Sequence, residues 1–235
     1  MRFLNSKTLE FEEFLGEAGR GIPPYAILSH TWGLDEVSYK DHVDKKSASQ
    51  KGFVKVAGCC RLADFEGFGY VWIDTCCIDK SSSAELSEAI NSMFQWYRDA
   101  AICYACLSDV DSSEDATLET FSFAGSRWFT RGWTLQELLA PAEVVFLASD
   151  WKEIGTKMSL AKEVSCITGT GLSALTERRW SDYSVAQMMS WAAGRQTTRP
   201  EDEAYCLMGL FGVNMPILYG EGLKAFYRLQ LEILK

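Results

Sequence analysis

Three stretches of this 235-residue chain carry side chains able to do chemistry at a single place. They are Ser29-His30-Thr31-Trp32-Gly33, the acid Asp74, and Trp133 with Glu137. Residues four apart on a helix stand one turn above each other, so the Trp133 indole and the Glu137 carboxylate line a common pocket. Trp32 and Trp133 offer flat faces on which a planar base stacks. Each residue also has a plainer reading. Glu137 is then a solvated helix carboxylate paired with Arg127 or Arg131, Ser29 and His30 are turn residues at a strand end, and Asp74 caps the loop that follows it.

Other chemistries have less support. His30 and His42 are the only histidines, so no histidine pair marks a metal site, and none is expected. Cys59-Cys60, Cys76-Cys77 and Cys103 with Cys106 tempt a zinc reading. Adjacent cysteines do not easily share a tetrahedral ion, and Cys103 and Cys106 on a strand point to opposite faces. Apolar packing is the expectation for these thiols, with a thiol nucleophile served by His30 as the other reading. There is no glycine-rich phosphate loop. A net charge of -9, without a cluster of Lys and Arg, argues against a nucleic-acid partner. No apolar run is long enough to span a membrane, and the first ten residues lack the apolar stretch of a signal peptide. The cysteines are not spaced as a disulfide framework, which points to a reducing, cytoplasmic compartment.

The elements that must position these residues alternate. Ala26-Ile27-Leu28-Ser29 reads as a buried strand stopping at Thr31-Trp32-Gly33, and residues 70–74, 101–107 and 143–148 read as further strands. Between them a helix is expected over 51–65, its apolar stripe running through Val54, Val56, Ala57, Cys60 and Leu62. A second follows Ser82, which with Glu85 makes a capping box, and shows Leu86, Ala89, Ile90, Met93, Phe94 and Tyr97 on one face. A third covers 127–140 and ends at Pro141. Residues 109–120 are a polar surface loop. This alternation predicts a parallel sheet with helices on both faces. Beyond Asp150 the pattern turns helical, over 158–167, 184–193, 201–211 and 223–234. The reading is an α/β core over 1–150 with a helical extension over 151–235. Ligands bind such sheets outside the carboxyl ends of the strands, where the three stretches would gather. The helical pattern is still running at Lys235, so this is expected to be the N-terminal domain of a longer protein.

Four motifs, in order, carry a resemblance. They are Pro24-Tyr25-Ala26-Ile27-Leu28-Ser29-His30-Thr31-Trp32-Gly33; Trp72-Ile73-Asp74-Thr75-Cys76-Cys77-Ile78-Asp79-Lys80 with Glu85 and Met93; Arg127-Trp128-Phe129-Thr130-Arg131-Gly132-Trp133-Thr134-Leu135-Gln136-Glu137; and Glu201-Asp202-Glu203-Ala204-Tyr205-Cys206-Leu207-Met208-Gly209 through Tyr219-Gly220-Glu221-Gly222. Together they resemble the heterokaryon-incompatibility (HET) domain, the cell-death-triggering module of fungal self/non-self recognition. The tail resembles the subset whose HET domain precedes a nucleotide-binding and repeat region. HET domains are in turn similar to TIR domains, a flavodoxin-like fold in which some members cleave NAD+. In that pattern a first strand ends in Ser, a second in Asp, and a Trp–Glu pair opens a later helix. Ser29, Asp74, Trp133 and Glu137 stand at these places. The chain departs from it in the long 109–126 loop, the helical tail and one extra residue between Trp and Glu.

The resemblance implies a TIR-like α/β fold and a death effector that hydrolyses NAD+ when clustered, an NAD+ nucleosidase. Glu137 would be catalytic, with Ser29, His30, Trp32, Gly33, Asp74 and Trp133 binding substrate and no separate cofactor. Its partners would be further copies of itself and the nucleotide-binding/repeat region of a longer chain. The other reading is a non-enzymatic signalling module, self-associating and recruiting partners through the 75–83 loop.

Overall fold

The computed structural model describes residues 1–112 and 121–235; most of the expected 109–120 loop lies outside them. The strands are β1 (Arg2–Asn5), β2 (Phe11–Glu13), β3 (Glu17–Ala18), β4 (Gly21–Ile22), β5 (Ala26–His30), β6 (Tyr70–Trp72), β7 (Ile102–Cys106), β8 (Val144–Leu147) and β9 (Glu153–Thr156). Seven form one sheet in the order β2-β1-β6-β5-β7-β8-β9, while β3 and β4 make a separate short pair. The helices are α1 (Tyr39–Val43), α2 (Phe53–Phe65), α3 (Ser83–Asp99), α4 (Phe121–Ala124), α5 (Thr134–Leu139), α6 (Ala161–Thr168), α7 (Leu172–Thr176), α8 (Val185–Ser190), α9 (Asp202–Tyr205) and α10 (Lys224–Ile233).

The four central strands β6, β5, β7 and β8 are parallel, as the strand–helix alternation predicts. In chain order they lie second, first, third, fourth across the sheet. They are continuous apolar runs because both faces are covered; β5, β7 and β8 are buried at every residue. Each fully buried Leu, Ile or Val there contributes roughly 1.5–3 kcal/mol by leaving water. The sheet is not all parallel, however. β1 pairs antiparallel with β6 and β2, and β9 pairs antiparallel with β8. These edges escape the sequence reading because they are short and half polar, and β9 carries Gly155.

The helical face of α3 is the expected one, with Ala89, Ile90, Met93, Phe94 and Tyr97 buried. Its cap is only half a capping box: Ser82 accepts from the Glu85 amide, but the Glu85 carboxylate is taken by Arg2 and by the Asp79 amide. In α2 the buried face runs through Val56, Cys59, Cys60 and Ala63, while Val54 is exposed, so small thiols replace the expected branched stripe. The helix expected over 127–140 is broken. Arg127–Thr130 form a 3-10 turn, Arg131 is extended, and α5 follows. The cause is the segment at 196–197: the Gly132 amide donates to Gln196 O at 2.8 Å, and a Cβ on Gly132 would meet Thr197 Cγ2 at 2.5 Å. Of the helix expected over 201–211 only α9 forms, the rest being turns. Among the described residues no helix is long and apolar enough to cross a membrane.

Candidate functional site

β5 ends in Ser29 and His30 at the centre of the sheet, and α5 brings Glu137 down onto that strand end. Ser29 is fully buried. It accepts the Trp128 indole N–H at 2.7 Å and donates its own hydroxyl to Glu137 Oε2. The Trp128 donor fixes the Ser29 hydroxyl in the donating direction, so the carboxyl is held from behind. Glu137 is 5% exposed, which overturns its reading as a solvated carboxylate paired with Arg127 or Arg131. Burial, and then the nearby Asp74, push its pKa up to about 8, against the pull of Ser29 and Arg195.

In front of Glu137 lies a cavity of about 250 Å³. His30, Trp32, Asp74 and Trp133 line it with Glu137, while Leu86, Ile90 and Met93 of α3 form an apolar wall. The Asp74 Oδ2 accepts the Trp32 indole N–H at 3.0 Å. His30 lies 3.5 Å from Glu36 Oε2 and 3.9 Å from Asp74 Oδ1, without hydrogen-bond alignment to either. Both ring nitrogens of His30 and the Oδ1 of Asp74 are thus buried with hydrogen-bonding capacity unspent, which is uncommon away from functional sites. Burial alone would raise the Glu36 carboxyl, but His30, Lys55 and the Gly33 amide hold it down at about 2.

Two expected ligand residues are placed elsewhere. Ser29 lies behind Glu137 and does not line the cavity; its contact is with the carboxyl. Gly33 opens on a separate hollow beside Lys51 and Gly52, its amide bound to Glu36 Oε1 at 2.7 Å. Trp32 has one face taken, because the Lys80 ammonium sits 3.9 Å above its ring.

Residues that the sequence reading did not assign to the site complete the cavity: Lys80, Arg131, Thr198, Arg199, Asp202 and Tyr219. The last four come from the tail. Tyr219 donates to Asp202 Oδ1 at 2.9 Å, and Arg199 lies 4.3 Å over the Tyr219 ring. Asp202 and Tyr219 belong to the fourth motif quoted above, which was the available signal. A second hollow, about 430 Å³, lies between Gly132, Arg195, Cys206 and Phe226. Its ionisable lining is Arg195, Glu203 and a thiol that burial raises to about 12, with no convergent acid pair. The smaller cavity is the better candidate because its polar groups converge.

The sequence profile of the heterokaryon incompatibility protein (HET) family matches residues 25–124, the section running from β5 past Asp74 and the apolar wall of α3. Vegetative incompatibility protein HET-E-1 of Podospora anserina is 50% identical over 220 residues, 90% of this chain. This chain carries a HET domain. An alignment over 90% of the chain reaches past the family match and takes in Glu137. The chain spans 16% of the length of that relative. No solved structure matches this HET domain.

Proposed function

We propose that this HET domain is the cell-death effector of a fungal vegetative-incompatibility protein, and that it hydrolyses NAD+ at the nicotinamide–ribose bond when copies are clustered. The observation that carries the reading is Glu137, a carboxyl buried at the end of a cavity, gripped by Ser29 and flanked by Trp133. The second-first-third-fourth order of the parallel strands supports the TIR-like reading, since flavodoxin-like sheets share it and bind ligands where the order reverses. Glu137 stands at that reversal, between β5 and β7: its side chain is bonded to Ser29 and its carbonyl faces the Cys103 thiol at 3.9 Å.

In this reading the C1′–N bond breaks and its electron pair leaves with nicotinamide, which departs as a neutral base. Water then adds to C1′, giving ADP-ribose and a proton. The charge to be stabilised is the oxocarbenium-like ribosyl group, and an ionised Glu137 does so in a site of low dielectric. The free carboxyl, with its pKa near 8, is largely protonated at neutral pH. A cationic nicotinamide ring beside it favours ionisation, so substrate charges its own catalyst. His30 and Asp74 supply the unspent hydrogen-bonding atoms for ribose hydroxyls. Residues 1–150 act as the core, and 151–235 as an extension that closes one wall of the site.

The test is NAD+ consumption by the 235-residue chain fused to an oligomeriser, beside its Glu137→Gln form. Loss of NAD+ in the first alone supports the enzyme. Cell killing that persists in Glu137→Gln, with no NAD+ loss in either, overturns it in favour of a signalling module.

A further inference from the structure

We infer that the mouth of the Glu137 cavity is a phosphate-binding rim formed by Lys80, Arg131 and Arg199, so that its ligand is a nucleotide rather than a free nucleoside. The inference deepens the NAD+ reading and rests on it for the ribosyl end of the ligand, though not for the ligand's charge.

The three cations come from three separate segments, yet all line one cavity. Lys80 and Arg199 are exposed and Arg131 is half-buried, whereas Glu137 is buried, so the bases lie outermost and the acid innermost. Among the described residues none of the three makes an ion pair with a carboxylate. Lys80 rests on the Trp32 ring at 3.9 Å, Arg199 on the Tyr219 ring at 4.3 Å, and Arg131 Nη2 donates to Thr198 Oγ1 at 3.3 Å. Arg2, Arg127 and Arg228, by contrast, are paired with Glu85, Asp109 and Glu221. Three cations free of direct ion pairs thus meet at one opening of a protein with net charge -9, beside the lining acids Asp74 and Asp202. Guanidinium forks match phosphate oxygens two bonds at a time, and the Tyr219 seat leaves the N–H donors of Arg199 free for this. About 250 Å³ takes one nucleoside, which leaves the phosphates of a larger ligand at the mouth.

Calorimetry on the 235-residue chain tests the rim with ADP-ribose and nicotinamide riboside as probes. ADP-ribose should bind at least about tenfold more tightly than the phosphate-free riboside and weaken steeply with added salt. Arg131→Gln with Arg199→Gln should remove most of that preference and flatten the salt dependence. The salt dependence, read on the unsubstituted chain, serves where the double variant fails to fold. Equal affinity for both probes, or ADP-ribose binding indifferent to salt and to the substitutions, overturns the rim. ADP-ribose held through the arginines, with no NAD+ cleavage by the oligomeriser-fused chain, sinks the catalytic reading and leaves the rim standing. NAD+ cleavage with an unchanged KM in the double variant does the reverse.

Discussion

At the scale of single residues, one proton on Glu137 would join the proposed catalysis to stability. Its pKa of about 8 lies above the ordinary 4.5 because burial, and then Asp74, penalise its charge. Between these values the native state keeps a proton that the unfolded chain has released. Stability therefore falls as pH rises through that window. Glu137→Gln should flatten the fall, so that thermal unfolding from pH 5 to 9 shows a smaller loss of Tm than in the parent. Activity should move the other way: kcat/KM for NAD+ rises towards pH 8 in the parent, and drops about 100-fold or more in the variant. A parent profile that declines over this range would remove the ionised carboxylate from the mechanism. Ser29→Ala takes the hydroxyl from Glu137 and leaves the Trp128 N–H buried and unpaired. The expected cost is about 1–3 kcal/mol in chemical denaturation, with the activity profile displaced to higher pH. Helical spacing made Glu137 and Trp133 legible as neighbours, and only the HET and TIR resemblance marked them as site residues. Lys80 and Arg199 were not, since a lone surface cation has no pattern until an aromatic seat is seen beneath it.

At the scale of elements, α5 has only six residues and owes its position to neighbours. Arg195 ties Arg131 O to Thr134 Oγ1 at 2.9 Å each, fixing its start. The buried Lys157 ammonium donates to Leu138 O and Pro141 O at 3.2 and 2.5 Å, fixing its end. Burial lowers the Lys157 pKa to about 8, so from there to the ordinary 10.5 the unfolded chain binds the extra proton and stability rises with pH. Lys157→Met should lose that alkaline rise and cost about 1–3 kcal/mol near neutrality, where two carbonyls go unsatisfied; denaturation at pH 7 and 10 checks both. No sequence pattern marks Lys157, because its partners are backbone groups 16 and 19 residues away. The central strands were legible from unbroken apolar runs. The broken helix at Gly132 was not, because its cause is a segment more than sixty residues downstream pressing on the backbone.

At the scale of the molecule, the tail is a clamp across the site. Glu201 accepts the amides of Gly220 and Gly222 at 2.8 and 2.9 Å, and Tyr205 donates to Glu221 Oε1 at 2.9 Å. Both glycines have positive φ, which keeps the turn tight enough for one carboxylate to take both. The separated halves of the fourth motif are thereby one structural unit, and what they present to the cavity is Arg199, Asp202 and Tyr219. Glu201 itself does not line the cavity, so its removal separates positioning from chemistry. In Glu201→Ala the two amides lose their acceptor while Glu137, Ser29 and Trp128 are untouched. The expected result is a KM for NAD+ raised severalfold with kcat nearly kept, and faster amide hydrogen exchange confined to residues 216–223. The amides that Glu201 accepts hold its carboxyl below the usual range. Acid therefore loosens the clamp only once pH falls through that lowered value. A kcat loss as deep as that of Glu137→Gln would mean the tail takes part in the chemical step instead of holding the substrate against it.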